Sequence, residues 1–169
     1  MLKVESISKK INGRVILDNV SFDVNFGKIC GLLGPNGAGK TSSFYAIAGL
    51  VRSDNGCISL SDENITNMPV HKRSKLGIKY LPQEPSIFQN LTVSENLIGM
   101  AELNFNKKKD IKDFVEKSIE EFALKDICDL KGRQLSGGQR RKVEIARTLA
   151  SNPKIILLDE LLIRMLRQE

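Results

Sequence analysis

The sequence predicts an α/β fold, and three observations carry that reading. Residues 1–33 have the patterning of strands. A glycine-rich turn at 34–41 stands between an apolar run and a helical stretch, and a second apolar run, 154–158, leads into two adjacent acids. The length of 169 residues suits one domain with a core of its own and is short for two. Hydrophobic residues make up 41% and charged residues 27%, the proportions of an ordinary globular chain, which argues against wholesale disorder.

Val20, Phe22 and Val24 alternate with Ser21, Asp23 and Asn25, the period-2 signature of a half-buried antiparallel strand. Gly27-Lys28 then turns the chain into Ile29-Cys30-Gly31-Leu32-Leu33, whose unbroken apolar character predicts a strand buried on both faces. A helix is expected over 40–51, a turn at Asn55-Gly56 and a strand over 57–60. A short strand over 77–81 approaches Pro82-Gln83. Thr92-Val93-Ser94-Glu95 has the spacing of a capping box, so a helix should start there. The next helix covers 110–122, with Ile111, Phe114, Val115, Ile119 and Phe122 on one face. Another follows Ser136 and stops before Asn152-Pro153, after which 154–158 reads as a buried strand. His71 reads as a surface helix position and Lys107-Lys108-Lys109 as a solvated loop. No internal repeat or low-complexity linker interrupts the pattern.

Cys30, Cys57 and Cys128 are widely spaced and odd in number, so they are expected to be reduced thiols behaving as small core residues. The net charge of +6 suits phosphate binding plus solvated lysines. Basic and aromatic residues do not interleave as in single-strand binders, so no nucleic-acid partner is expected. The first residues lack an apolar block before a small-residue cleavage site, and 155–158 is far too short to span a bilayer; a cytoplasmic chain is expected.

Gly34-Pro35-Asn36-Gly37-Ala38-Gly39-Lys40-Thr41 matches G-x-x-x-x-G-K-[ST] between a predicted strand and a predicted helix. Glycines at 37 and 39 let the backbone curl its N–H groups around phosphate oxygens, and the following helix adds the positive end of its dipole. Lys40 would sit on the β and γ phosphates of ATP, and the Thr41 hydroxyl would be a Mg²⁺ ligand. The plainer alternative, a glycine-rich turn capping a helix, does not call for Lys-Thr at that offset. The run Ile155-Ile156-Leu157-Leu158 would deliver Asp159 and Glu160 to a strand's C-terminal edge, where α/β sheets bind ligands. Asp159 suits the Mg²⁺ shell and Glu160 suits polarising an attacking water.

Leu135-Ser136-Gly137-Gly138-Gln139 bears on the class. Ser136 and Gln139 could form a capping box, but two glycines in a first turn each cost about 1 kcal/mol against alanine. They make better sense where backbone N–H groups must approach a phosphate. The string resembles the signature of ATP-binding-cassette ATPases, lying as in that family between the phosphate loop and the acidic strand end. Gln83 resembles the family's Q-loop glutamine, and the resemblance covers residues 1–160. It implies an N-terminal antiparallel subdomain, a RecA-like mixed or parallel core and a helical signature subdomain at about 84–135, all within one domain of residues 1–169. It further implies nucleotide binding by residues 34–41, Ser42 and Ile11, with Ser136, Gly137, Gly138 and Gln139 supplied by the other subunit of a head-to-tail homodimer. Gln83 would join Thr41 and Asp159 at Mg²⁺, and with Glu160 would form the catalytic pair. Integral membrane transporter subunits are the implied partners, on the cytoplasmic face of a bacterial inner membrane.

Within the family, residues 31–45 and the stretch from Tyr80 to Leu97 are similar to ATPases of lipopolysaccharide exporters. Branched-chain amino-acid importer ATPases resemble the second stretch too but usually differ just after the glutamine. Ile11 stands where the family usually has an aromatic that stacks on adenine. After Asp159-Glu160 the family continues with Pro, a D-loop, a further strand and a switch histidine; here 161–169 does not follow that pattern. The resemblance therefore implies that the C-terminal part of the core is missing, leaving a gap beside the strand expected at 29–33. Slow or absent ATP turnover is the expectation, with a nucleotide-binding fragment as the alternative.

Overall fold

The computed structural model describes residues 1–159. Glu160 and the tail at 161–169 lie outside the described residues. Contacts divide the chain into two units, one of Met1–Tyr80 with Lys154–Asp159, the other built on Leu81–Pro153.

The first unit contains a four-stranded antiparallel sheet in the order β2 (Arg14–Val24), β1 (Leu2–Ile11), β3 (Asn55–Leu60), β4 (Glu63–Asn64). Strands β1 (Leu2–Ile11) and β2 (Arg14–Val24) are joined by Asn12-Gly13, both at positive φ, the requirement of a tight hairpin turn. Strands β3 (Asn55–Leu60) and β4 (Glu63–Asn64) are joined the same way through Ser61-Asp62. The register places Val4 opposite both Phe22 and Ile58, and Leu2 opposite both Val24 and Leu60. One face of the sheet therefore buries Leu2, Val4, Ile7, Leu17, Ile58 and Leu60, while Val20, Phe22 and Val24 pack against that core as their alternation predicts. Helix α1 (Lys40–Ala48) contributes Ala46, Ile47 and Ala48 to the same core. Helix α2 (Val70–Leu76) carries His71 on its exposed side and ends at Gly77, φ 106°. Strands β5 (Ile78–Leu81) and β6 (Ile155–Leu158) pair with each other, adding Ile78 and Leu157 to the core.

Five expectations change here. Helix α1 stops at Ala48 rather than Val51, because Gly49 takes the left-handed conformation (φ 82°) and caps it, its N–H donating to the Ala46 carbonyl. Asn55-Gly56 is strand rather than turn; Gly56 (φ 89°) sits at a register shift, where a Cβ would lie 2.5 Å from the Glu5 and Ser6 carbonyl oxygens. Residues 29–33 form no strand, and Ile29 and Leu33 are 103% and 91% exposed. Strands exist only as paired objects, and among the described residues no strand offers this run a ladder. Cys30, within it, is exposed rather than a core residue. Finally, β6 is only partly buried: Leu157 is covered and Leu158 is not.

The second unit is helical. Helix α3 (Val93–Glu102) starts at the predicted capping box: the Thr92 hydroxyl accepts from Glu95 N–H at 3.1 Å, and the Glu95 carboxylate accepts from Thr92 N–H at 2.7 Å. Helix α4 (Lys108–Glu121) turns Phe114, Val115 and Ile119 to the core. Lys108 and Lys109 belong to its first turn, correcting the expected loop. Helix α5 (Gly137–Leu149) completes the unit with Val143 and Ala146. Among the described residues no helix is long and apolar enough to cross a membrane.

Candidate nucleotide site

The phosphate-loop sequence folds as a turn feeding α1. Ala38 N–H donates to the Pro35 carbonyl at 3.2 Å, and Gly37 and Gly39 sit at φ 83° and 84°. Gly39 is constrained twice: beyond its φ, a Cβ would fall 2.5 Å from the Ile16 carbonyl oxygen and 2.9 Å from Leu17 Cδ2. At Gly37 an added Cβ would meet nothing within 4 Å, so only the backbone conformation calls for glycine there. The Lys40 ammonium bends back over the loop, donating to the Gly34 and Pro35 carbonyls at 2.8 Å each.

Helix α1 has no acidic residue in its own first turn, so within the helix nothing offsets the positive end of its dipole, which faces the loop. Its other end is compensated. Arg73, 2% exposed, donates Nη1 to the Ala46 and Ile47 carbonyls (2.6 and 2.8 Å), Nε to Met68 and Nη2 to Thr66. Burial lowers the Arg73 pKa below its ordinary value, but a guanidinium satisfied by four carbonyls stays charged. Sequence reading missed this residue, because its partners are backbone atoms up to 27 positions away.

Thr41 and Asp159, 118 residues apart, meet. The Thr41 hydroxyl donates to Asp159 Oδ1 at 3.3 Å, and the Tyr80 hydroxyl donates to Oδ2 at 3.1 Å. Asp159 is 5% exposed. Burial first, and the charge of Asp159 next, push the Tyr80 hydroxyl above its ordinary pKa, so it remains a donor. A hydroxyl and a carboxylate oxygen this close are the hard donors that Mg²⁺ takes beside substrate phosphates, so the residues present fit that ion. Ser42 is half-buried in α1, and Ile11 is 44% exposed at the tip of the first hairpin.

Gln83 and residues 136–139 belong to the second unit. Gln83 is exposed, directly after β5. Ser136 caps α5 with a full capping box: its hydroxyl accepts from Gln139 N–H at 3.3 Å, and Gln139 Oε1 accepts from Ser136 N–H at 2.9 Å. A Cβ at Gly137 or Gly138 would meet nothing within 4 Å, so packing within this unit does not call for glycine at either.

Sequence reading left Arg141, Glu144 and Arg147 without a task. They hold the irregular segment after Gln83. Glu144, buried, accepts from Ser86 N–H at 2.7 Å and from Arg141 Nη1 at 3.1 Å. Arg141 also donates to the Pro82 carbonyl at 2.8 Å, and Arg147 donates to the Ser86 carbonyl at 2.7 Å while its guanidinium lies 4.6 Å from the Phe88 ring centre. Asn96 clamps Phe88 from the other side, accepting from its N–H and donating to its carbonyl, both at 3.0 Å.

The model of the ABC transporter family matches residues 17–162. The lipopolysaccharide export system ATP-binding protein of Haemophilus influenzae is 49% identical over 165 residues, covering 95% of this chain and 67% of the relative. Its Escherichia coli K12 counterpart is 46% identical over 160 residues, covering 94% and 66%. The chain thus spans about two thirds of the length of these curated relatives. Among solved structures, an ABC transporter cassette in its ADP conformation superposes with TM-score 0.82 at 32% identity, covering 96% of this chain and 69% of that one. A cassette dimer in a post-hydrolysis state bound to ADP and Pi gives 0.80 at 26%, covering 94% and 73%. A match running through most of the sequence, joined to a fold that superposes on solved cassettes, means that this chain belongs to the ABC transporter family as an ATP-binding cassette.

Proposed function

We propose that this chain is the ATP-binding subunit of an ABC exporter, coupling ATP binding and hydrolysis to export across a bacterial inner membrane from its cytoplasmic face. The carrying observation is the Thr41–Asp159 contact, which joins the foot of the phosphate loop to a buried carboxylate. Lipopolysaccharide as cargo rests on the 46–49% identity to proteins named for that export.

In this reading residues 34–41 and Ser42 wrap the phosphates with their backbone N–H groups, Pro35 shaping the turn without one, and Lys40 releases the Gly34 and Pro35 carbonyls to meet the β and γ oxygens. Ile11 offers an apolar contact to adenine. Mg²⁺, when bound, supplies charge neutralisation between the β and γ phosphates. Thr41, Asp159 and Gln83 would hold it, while Glu160, with Gln83 as the second catalytic residue, would orient and polarise the attacking water. Ser136, Gly137, Gly138 and Gln139 of one subunit would close over the phosphates bound by another in a head-to-tail homodimer. The open space at both glycines supports a role facing outward. The two units would then act as one cassette of residues 1–169, with 84–135 as its helical part, moved against integral membrane subunits.

Calorimetric titration of the purified chain with ATP and Mg²⁺ tests the core of this proposal. Binding is expected, weakened at least about tenfold by Lys40→Ala; equal affinity in both proteins would overturn it. A second reading, nucleotide binding without turnover, is favoured by residues 29–33, since among the described residues the segment entering the loop has no ladder to steady it. Phosphate release abolished by Glu160→Gln supports the first reading, and binding without phosphate release supports the second.

A further inference from the structure

We propose that Tyr80 is a positioning residue for Asp159, selecting which carboxylate oxygen faces the cation; this rests on the reading of Asp159 as a Mg²⁺ ligand. A carboxylate presents two equivalent oxygens, and a buried one left with a free oxygen can turn to satisfy either. Here both oxygens are occupied from different elements: Thr41 at the start of α1 donates to Oδ1, and Tyr80 on β5 donates to Oδ2.

Helix α1 also sets the tyrosine. Tyr45 lies one turn beyond Thr41, on the same face, and its ring meets that of Tyr80 edge-on at 5.6 Å between centroids and 87° between planes. One helical turn therefore presents both the hydroxyl that meets Oδ1 and the ring that steadies the donor to Oδ2. For its own oxygen to face a cation, the Thr41 hydroxyl would turn its proton away from Oδ1. The Tyr80 hydroxyl has no such demand on it and stays on Oδ2. Oδ1 would thus be left as the oxygen beside Thr41, free to face a cation. Hydrogen bonds to a metal ligand from residues that do not touch the ion orient such ligands in many sites.

Tyr80→Phe removes the hydroxyl and keeps the ring against Tyr45. ATP affinity of the whole chain would be measured by calorimetry in excess Mg²⁺ and again in EDTA. The parent should bind more tightly with Mg²⁺. In Tyr80→Phe that gain should shrink about tenfold while affinity in EDTA stays within about twofold. An undiminished gain overturns the proposal, as does an equal loss in both conditions, which marks a merely structural role. No gain in the parent removes the Mg²⁺ reading itself and the proposal with it.

A second measurement does not depend on Tyr80→Phe folding. The chain has two tyrosines, so 3-fluorotyrosine labelling gives two ¹⁹F resonances, assigned with Tyr45→Phe. Adding Mg²⁺ to the ATP-bound chain should move the Tyr80 resonance, and a stationary resonance counts against the proposal.

Discussion

Two irregular segments carry or adjoin candidate site residues, and they are held in opposite ways. Residues 82–88, in the second unit, have no regular secondary structure, yet Pro82, Ser86 and Phe88 each give backbone groups to buried or half-buried side chains of α3 and α5. Residues 29–33, in the first unit, are equally irregular, but among the described residues none of their backbone groups is hydrogen-bonded. The loop that follows is held by its own turn and by its far end: Lys40 donates to the Gly34 and Pro35 carbonyls, Gly39 meets β2, and Ser43 N–H donates to the Gly39 carbonyl at 2.8 Å. A segment outside helix or sheet can be as well determined as either, provided other side chains supply what a ladder would. Without such partners, apolar character alone does not make a strand.

The largest effect expected from breaking this arrangement is at Gly39. Alanine there must hold φ near 84° and place its Cβ 2.5 Å from the Ile16 carbonyl oxygen, a backbone atom that cannot swing aside. Strain and overlap together should cost on the order of 3–4 kcal/mol, read as a lowered urea midpoint. Gly37→Ala has only the positive φ to bear and should cost about 1 kcal/mol. Equal costs at the two positions would show that the contact with β2 does not anchor the loop.

Next in size is Glu144→Ala. It strands Ser86 N–H and leaves Arg141 without its carboxylate, while Arg147 still holds the Ser86 carbonyl. Loss of a buried charged acceptor should cost about 2–3 kcal/mol. Hydrogen exchange at Ser86 should quicken, whereas the amides of α1, in the other unit, should keep their protection. Unchanged exchange at Ser86 would mean that α5 does not order the segment after Gln83.

How much of this was legible in the sequence follows the same division. Locally encoded features were readable: the capping boxes at Thr92 and Ser136, the alternation in β2, the helical face of α4 and the glycine-rich loop all place their chemistry within a few residues. Contacts made across the sequence were not. Tyr80 and Asp159 are 79 positions apart, Glu144 and Ser86 58, Arg73 and Ala46 27, and no spacing rule joins them. Gly56 misled because a glycine needed for a close backbone approach has the same letter as one needed for a turn. Residues 29–33 misled for the reverse reason, since their composition encodes a preference for burial and the partner that would satisfy it has to come from elsewhere.

The smallest effect should come from Leu33→Lys, and its smallness is informative. Were residues 29–33 a strand buried on both faces, a lysine at 33 would place an unpaired ammonium among apolar side chains, at a cost of several kcal/mol. With Leu33 91% exposed, the same substitution removes no packing and breaks no hydrogen bond found among the described residues. It should change stability by less than about 0.5 kcal/mol, the range of ordinary surface substitutions. Urea unfolding of the parent and Leu33→Lys side by side would measure it. A loss above about 2 kcal/mol would mean that the folded chain in solution finds a partner for this run, and the contrast with residues 82–88 would vanish. A null result would locate the chain's irregular weak point just upstream of the phosphate loop, where nucleotide binding has most to gain by imposing order.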